Sequence, residues 1–506
     1  MTENRIRSVV IVGGGTAGWM SAAALCRILD RECSIQLVES EEIATVGVGE
    51  ASVPHLSTFN RLLEIDEAEF VRQTQGTFKL GIQFNDWGRL GDSYFHGFGS
   101  LGHDLSGIPF HQYWRRAYAD GKAKPLGTYS LNALAASMGR FMVSASDARK
   151  DSPLADIGYA YHFDAGLYAR YLRRYAEARG VQRTEGRIRQ TLLRQADGHV
   201  DAVVLESGQK ITGELFIDCS GFRGLLIEEV LHTGYEDWSH WLPCDRAWAV
   251  ACSKVDLPVP YTRSTARDAG WQWRIPLQHR TGNGHVYASR YISDDEAAAV
   301  LLKYLDGQPL GEPRQLRFTT GRRKRFWNKN VVAIGLAGGF MEPLESTSIH
   351  LVDTALARLG SLFPSREFKP ILAERFNQQS SIEYERIRDF LILHYCATER
   401  RDTAFWAYCA AIEIPDTLKS VMALFMDSGR YCGAGEDLFK LPSWAQVMHG
   451  QHIAAAGYHP FVDNLSANEI HEFINHAEQV VASCAAAMPA HQAFIDKHCK
   501  APSPAA

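Results

Sequence analysis

A run of glycines near the start of the chain sets the first chemical expectation. Gly13-Gly14-Gly15-Thr16-Ala17-Gly18 follows the apolar stretch Ser8–Val12 and leads into a helix-like segment over 19–29. A tight glycine turn between strand and helix can cradle a pyrophosphate. Gly13 makes the turn, Gly15 lets backbone approach the phosphates, and Gly18 allows helix to pack on strand. Thr16 and Ala17 complete the turn before the helix, whose first N–H groups and dipole favour negative charge. A second strand over 34–38 ends in Glu39, about twenty residues past the glycines, where a carboxylate can reach a ribose hydroxyl. Together these features predict a dinucleotide site.

Other reactive side chains are ambiguous when read alone. In Thr77-Phe78-Lys79-Leu80-Gly81-Ile82-Gln83-Phe84 the residues alternate as one strand. Phe78, Leu80, Ile82 and Phe84 then share one face and Lys79 the other. A lysine so placed reads as a solvated charge. Trp271 and Trp273 read as a buried aromatic pair on one strand face, and His96 and Phe98 as loop and core residues. A helix starts near Ser346, with Ile349, Val352, Leu356 and Leu359 at helical spacing. Its first turn offers unpaired N–H groups, or a cap from Ser346 or Thr347. The histidines, including His103, His111, His449 and His452, show no metal-ligand spacing, and no metal is expected.

The elements that must position these residues can be read along the chain. Alternating segments around Asp197-Gly198 and Ser207-Gly208 predict a three-stranded meander. It returns to the buried strand Phe216-Ile217-Asp218 and the turn Cys219-Ser220-Gly221. A third such strand, 331–335, leads into Leu336-Ala337-Gly338-Gly339, with Leu336 and Gly339 expected at the cofactor. Three glycine turns from distant parts of the chain would thus converge at one sheet edge. Beyond about residue 360 the pattern becomes helical. The expected organisation is a nucleotide-binding module over 1–360, carrying substrate-site insertions at about 55–150 and 225–325, and a mostly helical sub-domain over 361–506.

At 506 residues the chain is too long for a single growing core. A net charge of −5 argues against a nucleic-acid surface. No apolar run is long enough to cross a bilayer, and the N-terminal residues carry no signal-peptide pattern. Ten cysteines without a C-x-x-C pair suggest neither a zinc site nor a disulfide framework. The expected setting is a reducing cytoplasm.

Taken in order, five features resemble the flavin-dependent tryptophan halogenase family over nearly all of the chain. They are Gly13-x-Gly15-x-x-Gly18, the loop Gly47-Val48-Gly49-Glu50-Ala51-Ser52-Val53-Pro54, Lys79, Trp271-x-Trp273-x-Ile275-Pro276, and Pro343-Leu344-Glu345-Ser346-Thr347. The resemblance implies an α/β fold: a Rossmann-type, monooxygenase-like FAD domain with a helical C-terminal substrate sub-domain. It also implies FADH2, dioxygen and bromide or chloride as reactants. Gly49, Glu50 and Ala51 would join the FAD site, and Thr347 and Ser348 would hold halide. Hypohalous acid would pass to Lys79, as a hydrogen-bonded acid or a haloamine, while Glu345 aids polarisation and removes the ring proton. Trp271, Trp273, Ile275 and Pro276 would line the passage, and His96, Phe98 and Trp444 the substrate pocket.

The chain departs from the pattern of family members that act on free tryptophan. Their tyrosine-rich clamp for the amine and carboxylate is missing from Gly435-Glu436-Asp437-Leu438-Phe439-Lys440-Leu441-Pro442-Ser443-Trp444. An indole or larger indole derivative is therefore expected, poorly served by charged contacts at an amino-acid end. With one G-x-G-x-x-G unit and no second βαβ pattern for a nicotinamide, a separate flavin reductase is the expected partner. Neither nucleic acid nor membrane is expected, and a homodimer is left open. The alternatives are an aromatic hydroxylase and a non-catalytic flavin- or indole-binding protein.

Overall fold

The structure, a computed structural model, describes residues 4–29, 32–42, 49–149, 151–433, 435 and 437–502. Gly47 and Val48 of the family-like loop, Glu436 and the last four residues lie outside the described residues. The chain divides into two compact units, each drawn from three stretches: 1–75, 163–239 and 318–385 form one, and 76–162, 240–317 and 386–506 the other.

The first unit is built on a six-stranded sheet. Its order is Trp327–Asn328, Val331–Ala333, Leu215–Asp218, Ser8–Val12, Ser34–Glu39 and Gln182–Glu185. All neighbours are parallel except the first pair. Parallel strands covered on both faces need continuous apolar runs, and Val9, Val10, Ile11 and Val12 are all buried. The crossover helix Thr16–Ile28 buries Gly18 through Leu25, where three consecutive alanines let it lie close to its neighbours. The meander forms as expected, from antiparallel Ile188–Leu193, Val200–Leu205 and Lys210–Thr212.

The second unit is built on a seven-stranded sheet. In order its strands are Arg314–Arg317, Arg246–Ser253, Arg280–Tyr287, Gly270–Pro276, Thr262–Arg267, Gly81–Asn85 and Ser93–Gly97. Only the pairing of Thr262–Arg267 with Gly81–Asn85 is parallel. Past residue 360 the helical region is shared between the two units, the change falling inside the long helix Pro370–Cys396. Residues up to 385 serve the first unit: Asn377 accepts from the backbone N–H groups of Phe326 and Trp327, and Arg358 bonds Ser380 and Glu383. Those beyond cover the antiparallel sheet: the Trp406 indole donates to the Arg267 carbonyl at 2.8 Å, and Gln446 exchanges two hydrogen bonds with the backbone of Gly97.

Thr77–Phe84 does not form a single strand. Thr77–Lys79 pairs antiparallel with Ala160–Asp164, and Gly81–Asn85 belongs to the seven-stranded sheet. The switch is fixed at Leu80 by distant partners: its N–H donates to Pro260, and its carbonyl accepts from Phe98 N–H and the Asn132 amide.

Candidate active site

In the first unit the glycine turn takes its shape from its neighbours. Gly13 has φ +111°, and a Cβ there would sit 2.3 Å from the Cys219 carbonyl oxygen, at the turn that ends the adjacent strand. At Gly18 a Cβ would meet the Gly13 carbonyl at 1.9 Å. The third turn closes on the same place, since Gly335 has φ +70° and leaves only 2.7 Å between a Cβ and that of Ala17. The three glycine turns converge as the sequence suggested, and this brings Leu336, next to Gly335, to the start of the helix. Gly339 follows in the short strand Gly339–Phe340.

Gly15 is different: nothing lies within 4 Å of its Cβ position. The helix it precedes has no side-chain cap and no acid in its first turn. Free N–H groups at a helix start, with open space over a glycine, suit a pyrophosphate. The Glu39 carboxylate lies over Gly14, so close that a Cβ there would overlap it, and is ion-paired with Arg183 and Arg173. Gly49–Ala51 is a short strand of the expected loop. These residues fit the dinucleotide part of FAD.

The Pro343–Glu345 turn, in the same unit, leads through Ser346 at φ +59° to a helix over Ser348–Ser361, two residues later than expected. The residue at its N-cap position is Thr347, whose side chain makes no capping bond. The Thr347 hydroxyl is buried and has no hydrogen-bond partner among the described residues. An orphaned hydroxyl beside free helix N–H groups is a place for an anion. Ser348 opens the helix and is half-buried, and Glu345 is 1% exposed.

Lys79 lies in the second unit and is 0% exposed, so it is no solvated surface charge. Its Nζ lies 5.2 Å from the centre of the Phe98 ring, a cation–π distance. His96 is a strand residue among aromatics, with ring centres 5.6 Å from Phe390 and 6.0 Å from Phe439. Phe390 and Phe439 stack at 4.0 Å, and Trp444 packs edge-on against Phe390 at 5.0 Å. The structure therefore gathers Lys79 with Phe98, and His96 with Trp444.

Trp271 and Trp273 share a face of Gly270–Pro276, their rings 6.1 Å apart. Trp271 packs against Trp87, while the Trp273 indole nitrogen has no hydrogen-bond partner among the described residues. Trp273 lies across Gly284, its cross-strand partner. Ile275 and Pro276 are buried, and the Pro276 carbonyl accepts from the Thr77 hydroxyl at 2.7 Å. The tryptophan strand thus ties directly to the lysine strand.

The family model for tryptophan halogenases matches residues 8–467. The chain belongs to that family. The halogenase is 34% identical over 499 residues to tryptophan 7-halogenase KtzQ of a Kutzneria species, covering 91% of each chain. Among solved structures it resembles Xcc4156, a flavin-dependent halogenase from Xanthomonas campestris, with TM-score 0.96, 50% identity and coverage of 99% and 100%. It also resembles BrvH, a flavin-dependent halogenase from Brevundimonas sp. BAL3, with TM-score 0.94, 44% identity and coverage of 98% and 100%. The protein is accordingly a flavin-dependent halogenase of an aromatic substrate, and the hydroxylase and non-catalytic readings are not favoured. Enzymes of this kind use FAD, dioxygen and halide, with a separate flavin reductase.

Two features of the halogenase were not singled out in the sequence. Asp218, at the end of its buried strand, accepts from the N–H groups of Ser220, Leu226 and Ile227 and so shapes the second glycine turn. An acid closing an apolar strand was the available signal. His162 and His491 flank Lys79's strand, and nothing local in the sequence marks them. Among the described residues no helix is long and apolar enough to cross a membrane, and no group of three His, Cys, Asp or Glu could hold a metal.

Proposed function

We propose that the halogenase brominates or chlorinates an electron-rich indole derivative rather than free tryptophan, with Lys79 and Glu345 as its catalytic residues. The burial of Lys79 against Phe98 carries this reading: a lysine cut off from water has no solvating role. Bound as FADH2 with dioxygen, the flavin supplies the oxidant that turns halide into hypohalous acid. Gly13, Gly15, Thr16, Ala17, Gly18, Glu39, Gly49, Glu50, Ala51, Leu336 and Gly339 hold it, and Thr347 with Ser348 holds halide through the orphaned hydroxyl and helix N–H groups. Lys79 fixes the halogenating species by hydrogen bond or as haloamine, since an arene yields only to an electrophilic halogen held beside it. Glu345 takes the ring proton.

Phe98, His96 and Trp444 stack on the flat substrate, while Trp271, Trp273, Ile275 and Pro276 keep it from the oxidant. Without the tyrosine-rich clamp the charged contacts that would fix an amino-acid end are lost. All ten cysteines are free thiols, as suits a reducing cytoplasm where a reductase supplies FADH2. The test is mass spectrometry of indole and tryptophan incubated with enzyme, FAD, reductase, NADH and bromide or chloride, with Lys79→Ala alongside. Halogenated indole that disappears in the variant supports the reading. Halogenated tryptophan as the better product overturns the substrate class, and an active Lys79→Ala overturns the role of the lysine.

A further inference from the structure

The two residues before Lys79 are each held by a buried histidine. His162 stands opposite Thr77 on the neighbouring strand, and Lys79 stands opposite Ala160. Residues two apart share a strand face, so His162 lies on the lysine's face, one pair away. The Thr77 hydroxyl donates to the Pro276 carbonyl at 2.7 Å and meets His162 Nδ1 at 3.1 Å. That hydroxyl has one proton, and a carbonyl can only accept, so Nδ1 must donate to Thr77. On the other side His162 Nε2 lies 2.9 Å from the Thr262 hydroxyl, and as the bare nitrogen of a neutral ring it accepts.

His491 repeats the arrangement on the next residue. Its Nε2 accepts from the Phe78 backbone N–H at 3.2 Å, and its Nδ1 lies 2.7 Å from the Pro258 carbonyl. A backbone N–H can only donate and a carbonyl only accept, so this ring too is neutral and carries its proton on Nδ1. His162 is fully buried and His491 is 1% exposed.

We propose that His162 and His491 are positioning residues for Lys79: both locked in the Nδ1–H tautomer, they pin Thr77 and Phe78 so that the lysine amine has a single location. The inference rests on the reading of Lys79 given above. Three groups bear on the charge of His162: Lys79, His491 and Arg274. Burial first, then these three groups, hold its basicity well below the ordinary range. Burial brings that of His491 down to about 4, against the pull of the Pro258 carbonyl. Protonating His491 would turn the nitrogen that accepts from Phe78 into a donor facing another donor. A lysine displaced by an ångström would miss the ring carbon without affecting halide oxidation, which is served by other residues.

The first test is nitrogen-15 NMR of the histidine rings in the intact wild-type enzyme. Both should report the neutral Nδ1–H form across the working pH range, and an Nε2–H or charged ring at either position overturns the proposal. The second compares His162→Phe, which keeps bulk, with His162→Gln, which keeps a donor and an acceptor. His162→Phe should lower kcat for indole halogenation about tenfold or more. KM should stay within about twofold of wild type, the same misplacement touching only the transition state. Hypohalous acid captured by a soluble trap should rise as coupling fails, and His162→Gln should recover most of the rate. Wild-type kcat in His162→Phe overturns the proposal. Should that variant not fold, the NMR result decides alone. An active Lys79→Ala would remove the reading of Lys79 and with it any positioning role. An inactive Lys79→Ala beside a fully active His162→Phe would leave that reading intact and remove this inference alone.

Discussion

Gly284→Ala offers a stability change whose sign should depend on one other residue. Gly284 lies in ordinary strand backbone opposite Trp273. An alanine Cβ there would sit 2.0 Å from each of two carbons of the indole ring. Carbon atoms rest about 3.5–4.0 Å apart, so the ring must retreat about 1.5 Å to restore that spacing. Trp273 is 7% exposed and boxed in by Trp271, so the retreat overpacks its neighbours at a cost of about 1–3 kcal/mol. Against this, alanine in a strand interior gains roughly 0.5–1 kcal/mol over glycine in backbone entropy. The net expectation is a loss of about 1–2 kcal/mol in urea unfolding followed by circular dichroism. In a Trp273→Ala background the ring is gone, and the same Gly284→Ala change should stabilise by about 0.5 kcal/mol. A double-mutant cycle would then give about 2 kcal/mol of coupling. Equal effects of Gly284→Ala in both backgrounds would refute the idea that this glycine exists to seat Trp273.

Two glycines of the nucleotide turn should separate folding from binding. Gly15→Ala should leave stability within about 0.5 kcal/mol of wild type yet weaken FAD about tenfold or more by fluorescence titration, since it fills open space meant for phosphate. Gly13→Ala, at φ +111° and against the Cys219 carbonyl, should cost stability itself, by about 2 kcal/mol or more. Thr347→Val keeps shape and removes the orphaned hydroxyl; KM for halide should rise severalfold while FAD affinity is unchanged, and an unaltered halide KM would move the anion elsewhere. Acid should destabilise the fold between about pH 6.5 and 4. Burial lowers His285 and His491 to about 4, so the unfolded chain binds more protons in that window and stability falls as pH drops. Each contributes about 3 kcal/mol by the time pH passes below its folded value. His491→Gln should flatten that part of the unfolding curve against pH.

What could be read from the sequence was what local geometry decides. Gly13 and Gly18 answer to backbone a few residues away or to the next strand, and their spacing declares it. The meander announces itself through its Asp197-Gly198 and Ser207-Gly208 turns. The burial of Lys79 could not be read, because alternation through Thr77–Phe84 is as consistent with one strand as with two. The break at Leu80 depends on Pro260 and Asn132, far along the chain. His162 and His491 stayed silent for the same reason: each owes its meaning to partners such as Thr77 and Phe78 that no spacing connects to them. The boundary expected at residue 360 followed a change of pattern, and the helical region past it is shared between the two compact units.

The order in which segments join the two units bears on how the chain is made. During translation, Ser8–Val12 must wait for Leu215–Asp218 to emerge before it has a neighbour on that side, and Leu215–Asp218 waits for Val331–Ala333. The second unit lacks the last of its covering helices until residues past 386 have been synthesised. Apolar strands are thus left without some of their partners until late in synthesis, a state in which nascent chains aggregate. Chaperone supply and slowed synthesis should therefore govern soluble yield, and a chain stopped before its third segment should be lost to aggregation rather than survive as a smaller enzyme.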